Sequence, residues 1–203
     1  MQKKKNYHHL LHTIDIMIEH STDQIHASGE TISCEKGCSH CCYLLVEVSW
    51  EEATLLAEWI DAQHPKLKEK LIQNIKQNAE KAREVFGRFK KAAPYTKPYQ
   101  GTLNIPAMAY DRYFYKNDIP CPMLIDNSCA AYEVRPTPCR LHMVTSPSEL
   151  CSKKFPDDVE DYEVPEEIET LKEEIVPMTD AFYKDGRWGQ LGIMVEAALK
   201  ALN

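Results

Sequence analysis

Glycine is scarce in this chain, at seven of 203 residues, and no segment is rich enough in it to cradle a nucleotide or phosphate cofactor. A serine triad and a paired acid–base signature are missing as well. No window approaches the roughly eighteen continuous apolar residues of a membrane span. The opening MQKKKNYHHLLHTIDIMIEH is basic, but His12 and Asp15 interrupt its apolar run and no small-residue cleavage site follows, so no secretory signal is read there. Basic charge is in deficit: 24 Lys and Arg stand against 31 Asp and Glu, a net charge of -7. That balance repels backbone phosphates over most of the surface and argues against general nucleic-acid binding. Together these absences lead us to expect a cytoplasmic protein with no membrane attachment, whose thiols stay reduced.

What the chain does contain is amphipathic helix pattern, and enough length for a globular core. Residues 7–27 carry Leu10, Leu11, Ile14, Met17, Ile18 and Ile25 on one face, and Gly29 ends the pattern. His8, His9, His12, His20 and His26 lie on several faces and are expected to be exposed or capping, with contact to a metal site as the alternative. Ser49 and Glu52 form an S-x-x-E capping box that opens a helix through about Asp61. Pro65 is placed as the first residue of a long helix reaching about Lys91, with Leu67, Leu71, Ile75, Ala79, Ala82, Phe86 and Phe89 at steps of three and four. Its lysines and arginines alternate with glutamates, which reads as a solvated face.

AAPYTKPYQGTLNIP reads as a loop and PAMAYDRYFYKN as a short aromatic helix. An acidic connector of about 156–174 leads into PEEIETLKEEIVPMTDAFYKD, a helix expected to break or kink at Pro177. A DGRWG turn and a final helix, QLGIMVEAALKAL, complete the chain. With no repeats and no strand–helix alternation, the expected fold is mainly α: a single helical domain, 1–203, with irregular cysteine-rich metal-binding loops at about 34–42 and 121–151.

Residues 34–42 read CEKGCSHCC, placing four of the eight cysteines in nine positions. A short loop presents several thiolates to one soft or borderline ion at spacings of two to four residues, which Cys34, Cys38, Cys41 and Cys42 satisfy. Gly37 suits close approach of backbone to sulfur. Cys121, Cys129, Cys139 and Cys151 are spaced more widely, as partners that bring distant loops together. Incidental buried thiols do not account for such clustering, and a vicinal Cys41–Cys42 disulfide is strained and needs an oxidising setting. Two zinc ions on eight thiolates, a 4Fe-4S cluster on four of them, or a mixed site using His40 or His142 all suit these donors. C-x3-C-x2-C is also the spacing of radical S-adenosylmethionine enzymes, but the βα alternation of their barrel is missing.

CEKGCSHCC followed by CPMLIDNSCAAYEVRPTPCR resembles the CxxCxxCC zinc- or iron-chelating domain, also called the YkgJ family. The likeness runs through Cys121, Pro122 and Leu124 and through Cys129, Tyr132, Arg135, Pro136, Cys139 and Arg140. Cys34 and Cys38 are separated by three residues where the family pattern has two. The resemblance implies chelation of zinc or of an iron-sulfur cluster by the cysteines. A similar cysteine-rich domain occurs in flagellin lysine N-methylase, which brings in protein modification as a second role.

The site residues expected on these grounds are Cys34, Cys38, Cys41, Cys42, Cys121, Cys129, Cys139 and Cys151 for metal. Arg135 and Arg140 are expected beside the cofactor, offsetting surplus thiolate charge; an ordinary ion pair, for instance with Glu133, serves either arginine as well. Tyr132 suits core packing, while Pro136 and Pro138 stiffen the approach to Cys139. The expected function is metal chelation in a structural or redox role. The alternatives are a protein-modifying enzyme with a protein substrate, or a zinc-stapled adaptor for a protein partner. No catalytic residue is named by the sequence.

Overall fold

The computed structural model describes residues 2–35, 37–86, 118–151, 163–180 and 186–202. In chain order its elements are α1 (Gln2–Ala27), β1 (Glu47–Ser49), α2 (Trp50–Asp61), α3 (Pro65–Phe86), β2 (Leu124–Ile125), β3 (Ser128–Cys129), α4 (Thr137–Arg140), α5 (Glu166–Asp180), β4 (Trp188–Gln190) and α6 (Leu191–Leu202). Short 3-10 turns cover His40–Tyr43, Tyr132–Val134 and Ser148–Cys151. The fold is mainly α, as expected, and among the described residues the sheets are two small antiparallel ladders. No described helix is long and apolar enough to cross a membrane.

The chain divides into two compact units, each made of two separate stretches: Met1–Cys41 with Thr137–Lys184, and Cys42–Pro136 with Asp185–Asn203. The cut falls inside the cysteine run, between Cys41 and Cys42.

In the first unit α1 packs on α5. Tyr7, Leu10, Leu11, Ile14 and Ile25 are buried along α1, and Ile168, Leu171 and Ile175 along α5, so each helix contributes one apolar stripe. All five histidines of α1 are exposed. The end of α1 is a Schellman motif: the Glu30 amide donates to the Ile25 carbonyl and that of Gly29 to the His26 carbonyl, with Gly29 at φ +93°. α5 opens with Glu166, Glu167 and Glu169 in its first turn, where the helix dipole favours negative charge. It runs through Pro177 to Asp180, so of the break or kink expected there the break does not occur.

The second unit has its core between α2, α3 and α6. Leu56, Ile60, Leu71, Ile75, Met194 and Val195 are nearly or wholly buried there. The capping box predicted for α2 is formed, and both partners are buried: Ser49 Oγ accepts from the Glu52 amide at 3.2 Å, while the Glu52 carboxylate accepts from the Ser49 amide at 2.9 Å. One expectation is corrected: Trp188 and Gly189, assigned by the sequence to a DGRWG turn, enter the strand β4, whose partner is β1. The two strands pair with Glu47 opposite Gln190 and Ser49 opposite Trp188. Gly186, at φ +71°, takes the turn position instead. The Arg187 guanidinium lies 3.4 Å from the Trp50 ring centroid at this ladder. The loop and aromatic helix expected for residues 92–117, and the end of α3 beyond Phe86, lie outside the described residues.

Candidate metal centre

Five of the eight cysteines lie in the first unit. A turn closed by the Cys38 amide on the Glu35 carbonyl, 3.0 Å, begins the thiol loop. Gly37 sits in it at φ +101°, and a Cβ there would meet nothing within 4 Å. At this φ the glycine answers a backbone requirement. The loop is tethered at its start: the Ser33 amide and hydroxyl both bond at 2.9 Å, to the carbonyls of Val144 and Thr145. The Cys34 thiol faces the His142 carbonyl at 4.0 Å. Cys139 is carried by α4, just upstream.

Cys151 is buried and closes the Ser148–Cys151 turn. Burial first, and then the neighbouring thiols of Cys34, Cys38 and Cys41, push its thiol up to about 12. Three thiols of one loop thus act on Cys151 within a single unit, and no disulfide joins any of the eight cysteines. His142 is held below its ordinary range by burial and by the charge of Lys172, so it stays neutral near pH 7.

The other three cysteines belong to the second unit. The Cys121 amide donates to the Cys42 carbonyl at 2.6 Å, which ties the two loops together through the main chain. β2 and β3 form a hairpin with Leu124 opposite Cys129; its turn residues Asp126 and Asn127 have φ of 50° and 57°, as a two-residue hairpin turn of this hand demands. Met123 and Ala131, both buried, anchor this hairpin to the core, and Cys121 and Cys129 pack beside them half-buried. A cavity of about 270 Å3 opens along Cys121, with Lys70, Gln77 and Lys81 of α3 on one wall and Leu124–Asp126 on the other.

The two motif arginines take different positions. Arg140 is 3% exposed and forms an ion pair with Asp15 of α1. Arg135 lies with its guanidinium 3.9 Å from the centroid of the Tyr132 ring, and Tyr132 itself is 52% exposed and so is not the core residue expected. Sequence reasoning passed over Asp15, and over Asn74 and Asn78 of α3, whose side-chain amides bond the Pro122 and Pro120 carbonyls at 3.2 and 2.8 Å. The only sequence signal for the asparagines was their four-residue spacing on an otherwise Lys- and Glu-rich helix.

Thiols of this number and clustering match the donor preference of zinc and of iron-sulfur clusters. Among the described residues, no three His, Cys, Asp or Glu side chains are grouped so as to hold one ion. The chemistry of the donor set nevertheless fits these metals.

A helical scaffold presenting reduced thiols from several loops defines a cysteine-cluster chelating protein. The family model for the CxxCxxCC domain, described as "Putative zinc- or iron-chelating domain", matches residues 33–166, and the chain belongs to this family. No curated protein and no solved structure gives a significant match.

Proposed function

We propose that this protein holds zinc or a 4Fe-4S cluster through its cysteines, in a structural or redox role. The observation that carries the reading is the match of the chelating-domain family model across the cysteine loops, with Cys34, Cys38, Cys41 and the buried Cys151 in one unit. Four thiolates suffice for a closed tetrahedral zinc site or for one cubane cluster. Cys139 lies in the same unit, while Cys42, Cys121 and Cys129 supply a second group of donors. Arg140, tied to Asp15 beneath α4, stiffens the approach to Cys139 in addition to any offset of thiolate charge. A bound metal would supply either a cross-link between loops or a one-electron couple. The reduced thiols it requires agree with a cytoplasmic setting.

The cavity along Cys121 favours a second reading, in which a small molecule or a protein side chain reaches a metal held there, as an enzyme that modifies proteins would require. A closed set of thiolates with a protein partner bound elsewhere is the adaptor alternative.

Anaerobic purification followed by an absorption spectrum and elemental analysis of one sample separates the occupants. A brown protein with broad absorption near roughly 400 nm, iron and labile sulfide supports a cluster. Stoichiometric zinc in a colourless protein removes the cluster and leaves a structural or Lewis-acid site. Neither metal, in protein that retains its helical fold, would overturn the proposal.

A further inference from the structure

Cys121 is flanked by two prolines, so the main chain around it offers few N–H groups for anchoring. The carbonyls of those prolines are the remaining handles, and α3 takes both. Asn74 Nδ2 donates to the Pro122 carbonyl at 3.2 Å and Asn78 Nδ2 to the Pro120 carbonyl at 2.8 Å. Spaced one helical turn apart, the asparagines lie on one face of α3. Between them the Cys121 amide donates to the Cys42 carbonyl. Three consecutive residues are therefore fixed through their main chain, with the cysteine at the centre.

The direction of the Asn78 amide is fixed from behind. Gln190 Nε2 donates to Asn78 Oδ1 at 2.9 Å, so the Asn78 NH2 group must face Pro120. Gln190 in turn accepts the Ile193 amide at 3.0 Å in the first turn of α6. Asn78 and Gln190 are 4% and 3% exposed. Gly192 makes room for them: a Cβ there would lie 2.0 Å from Asn78 Oδ1. A buried amide pair that only filled space would be replaceable by apolar side chains of the same shape. The carbonyls it serves belong to the main chain on either side of one cysteine, and Asn74 repeats the contact from outside the buried pair.

Resting on the metal reading above, we propose that Asn74 and Asn78 are positioning residues for Cys121, holding its main chain so that the thiol is preset as a ligand. Gln190 sets the direction of the Asn78 amide. The thiol then loses less conformational freedom when a metal binds, and affinity is gained without any contact between the asparagines and the ion.

The test uses the full chain and cobalt(II) as the probe. Affinity is measured in competition with a chelator, and the sulfur-to-cobalt charge-transfer band per bound ion counts thiolates. Asn74→Ala and Asn78→Ser are each expected to weaken cobalt binding about tenfold and to reduce the band, as Cys121→Ser does. Ile75→Val, in the same helix but buried in the core, should lower the urea midpoint while leaving affinity and band unchanged. Asparagine variants that bind like the wild type, or that lose no more affinity than Ile75→Val, overturn the inference. If Cys121→Ser also leaves binding unchanged, Cys121 is no ligand and the inference falls while chelation by the other cysteines stands. A wild-type chain that takes up no cobalt removes the metal reading, and this inference with it.

Discussion

Replacing Glu47 by Gln should stabilise the protein above neutral pH and leave it little changed in acid. Glu47 opens β1, half-buried, and its Oε1 is shielded from solvent with no hydrogen-bond partner among the described residues. Burial raises its carboxyl from 4.5 to about 7, against the opposing pull of a hydrogen bond from Trp188. Between those two values the folded chain holds a proton that the unfolded chain has released, so stability must fall as pH rises across that interval and level off above it. A rise of the carboxyl from 4.5 to about 7 corresponds in full to roughly 3.4 kcal/mol. Partial solvation of the side chain reduces this to about 2 kcal/mol. Urea unfolding followed by circular dichroism, at pH about 4 and about 8, supplies the difference between wild type and variant, in which the titration of every other group cancels. The reasoning predicts a gap near zero in acid and about 2 kcal/mol in favour of Gln in base. Parallel curves, or a variant less stable at high pH, would refute it.

Three further outcomes follow from the same physical chemistry. Ser49→Ala removes the acceptor for the Glu52 amide and leaves a buried carboxylate with one partner fewer, so a loss of about 1–2 kcal/mol is expected in urea unfolding. Gly29→Ala meets no neighbour within 4 Å, so its cost is confined to the backbone at φ +93°; about 1 kcal/mol should be lost, and Gly29→Asn should recover part of it. If the thiolate centre is structural, a strong chelator should lower the thermal midpoint, and Cys151→Ser should abolish most of that response. A chelator response that survives in Cys151→Ser would show that Cys151 holds no metal.

Signals confined to one turn of chain were legible in the sequence. The capping box at Ser49 and Glu52, Pro65 at the start of α3 and Gly29 at the end of α1 each act within a few residues, and each was read correctly. Pairings between distant segments were not. β1 and β4 are three residues each, too short for an alternation to register, and they lead into α2 and α6, which pack together. The ion pair of Arg140 with Asp15 joins an expected site residue to one that looked like ordinary helix surface. Asn78 sits among lysines and glutamates in the sequence and is nevertheless buried, because the loop before Cys121 and the start of α6 cover it. The cysteines themselves were conspicuous from their spacing. Their allotment to two units, cut between adjacent Cys41 and Cys42, has no counterpart in the sequence pattern.

That each unit is built from two separate stretches bears on how the protein is made. Synthesis delivers the N-terminal part first. The helix that α1 packs against lies beyond Glu166, and the core of α2 and α3 waits for Leu191, Met194 and Val195 of α6. By the time that last helix emerges, all eight thiols have been translated. The cysteines therefore meet the surrounding pool of metals and oxidants while still on an open chain, before the core of either unit is complete.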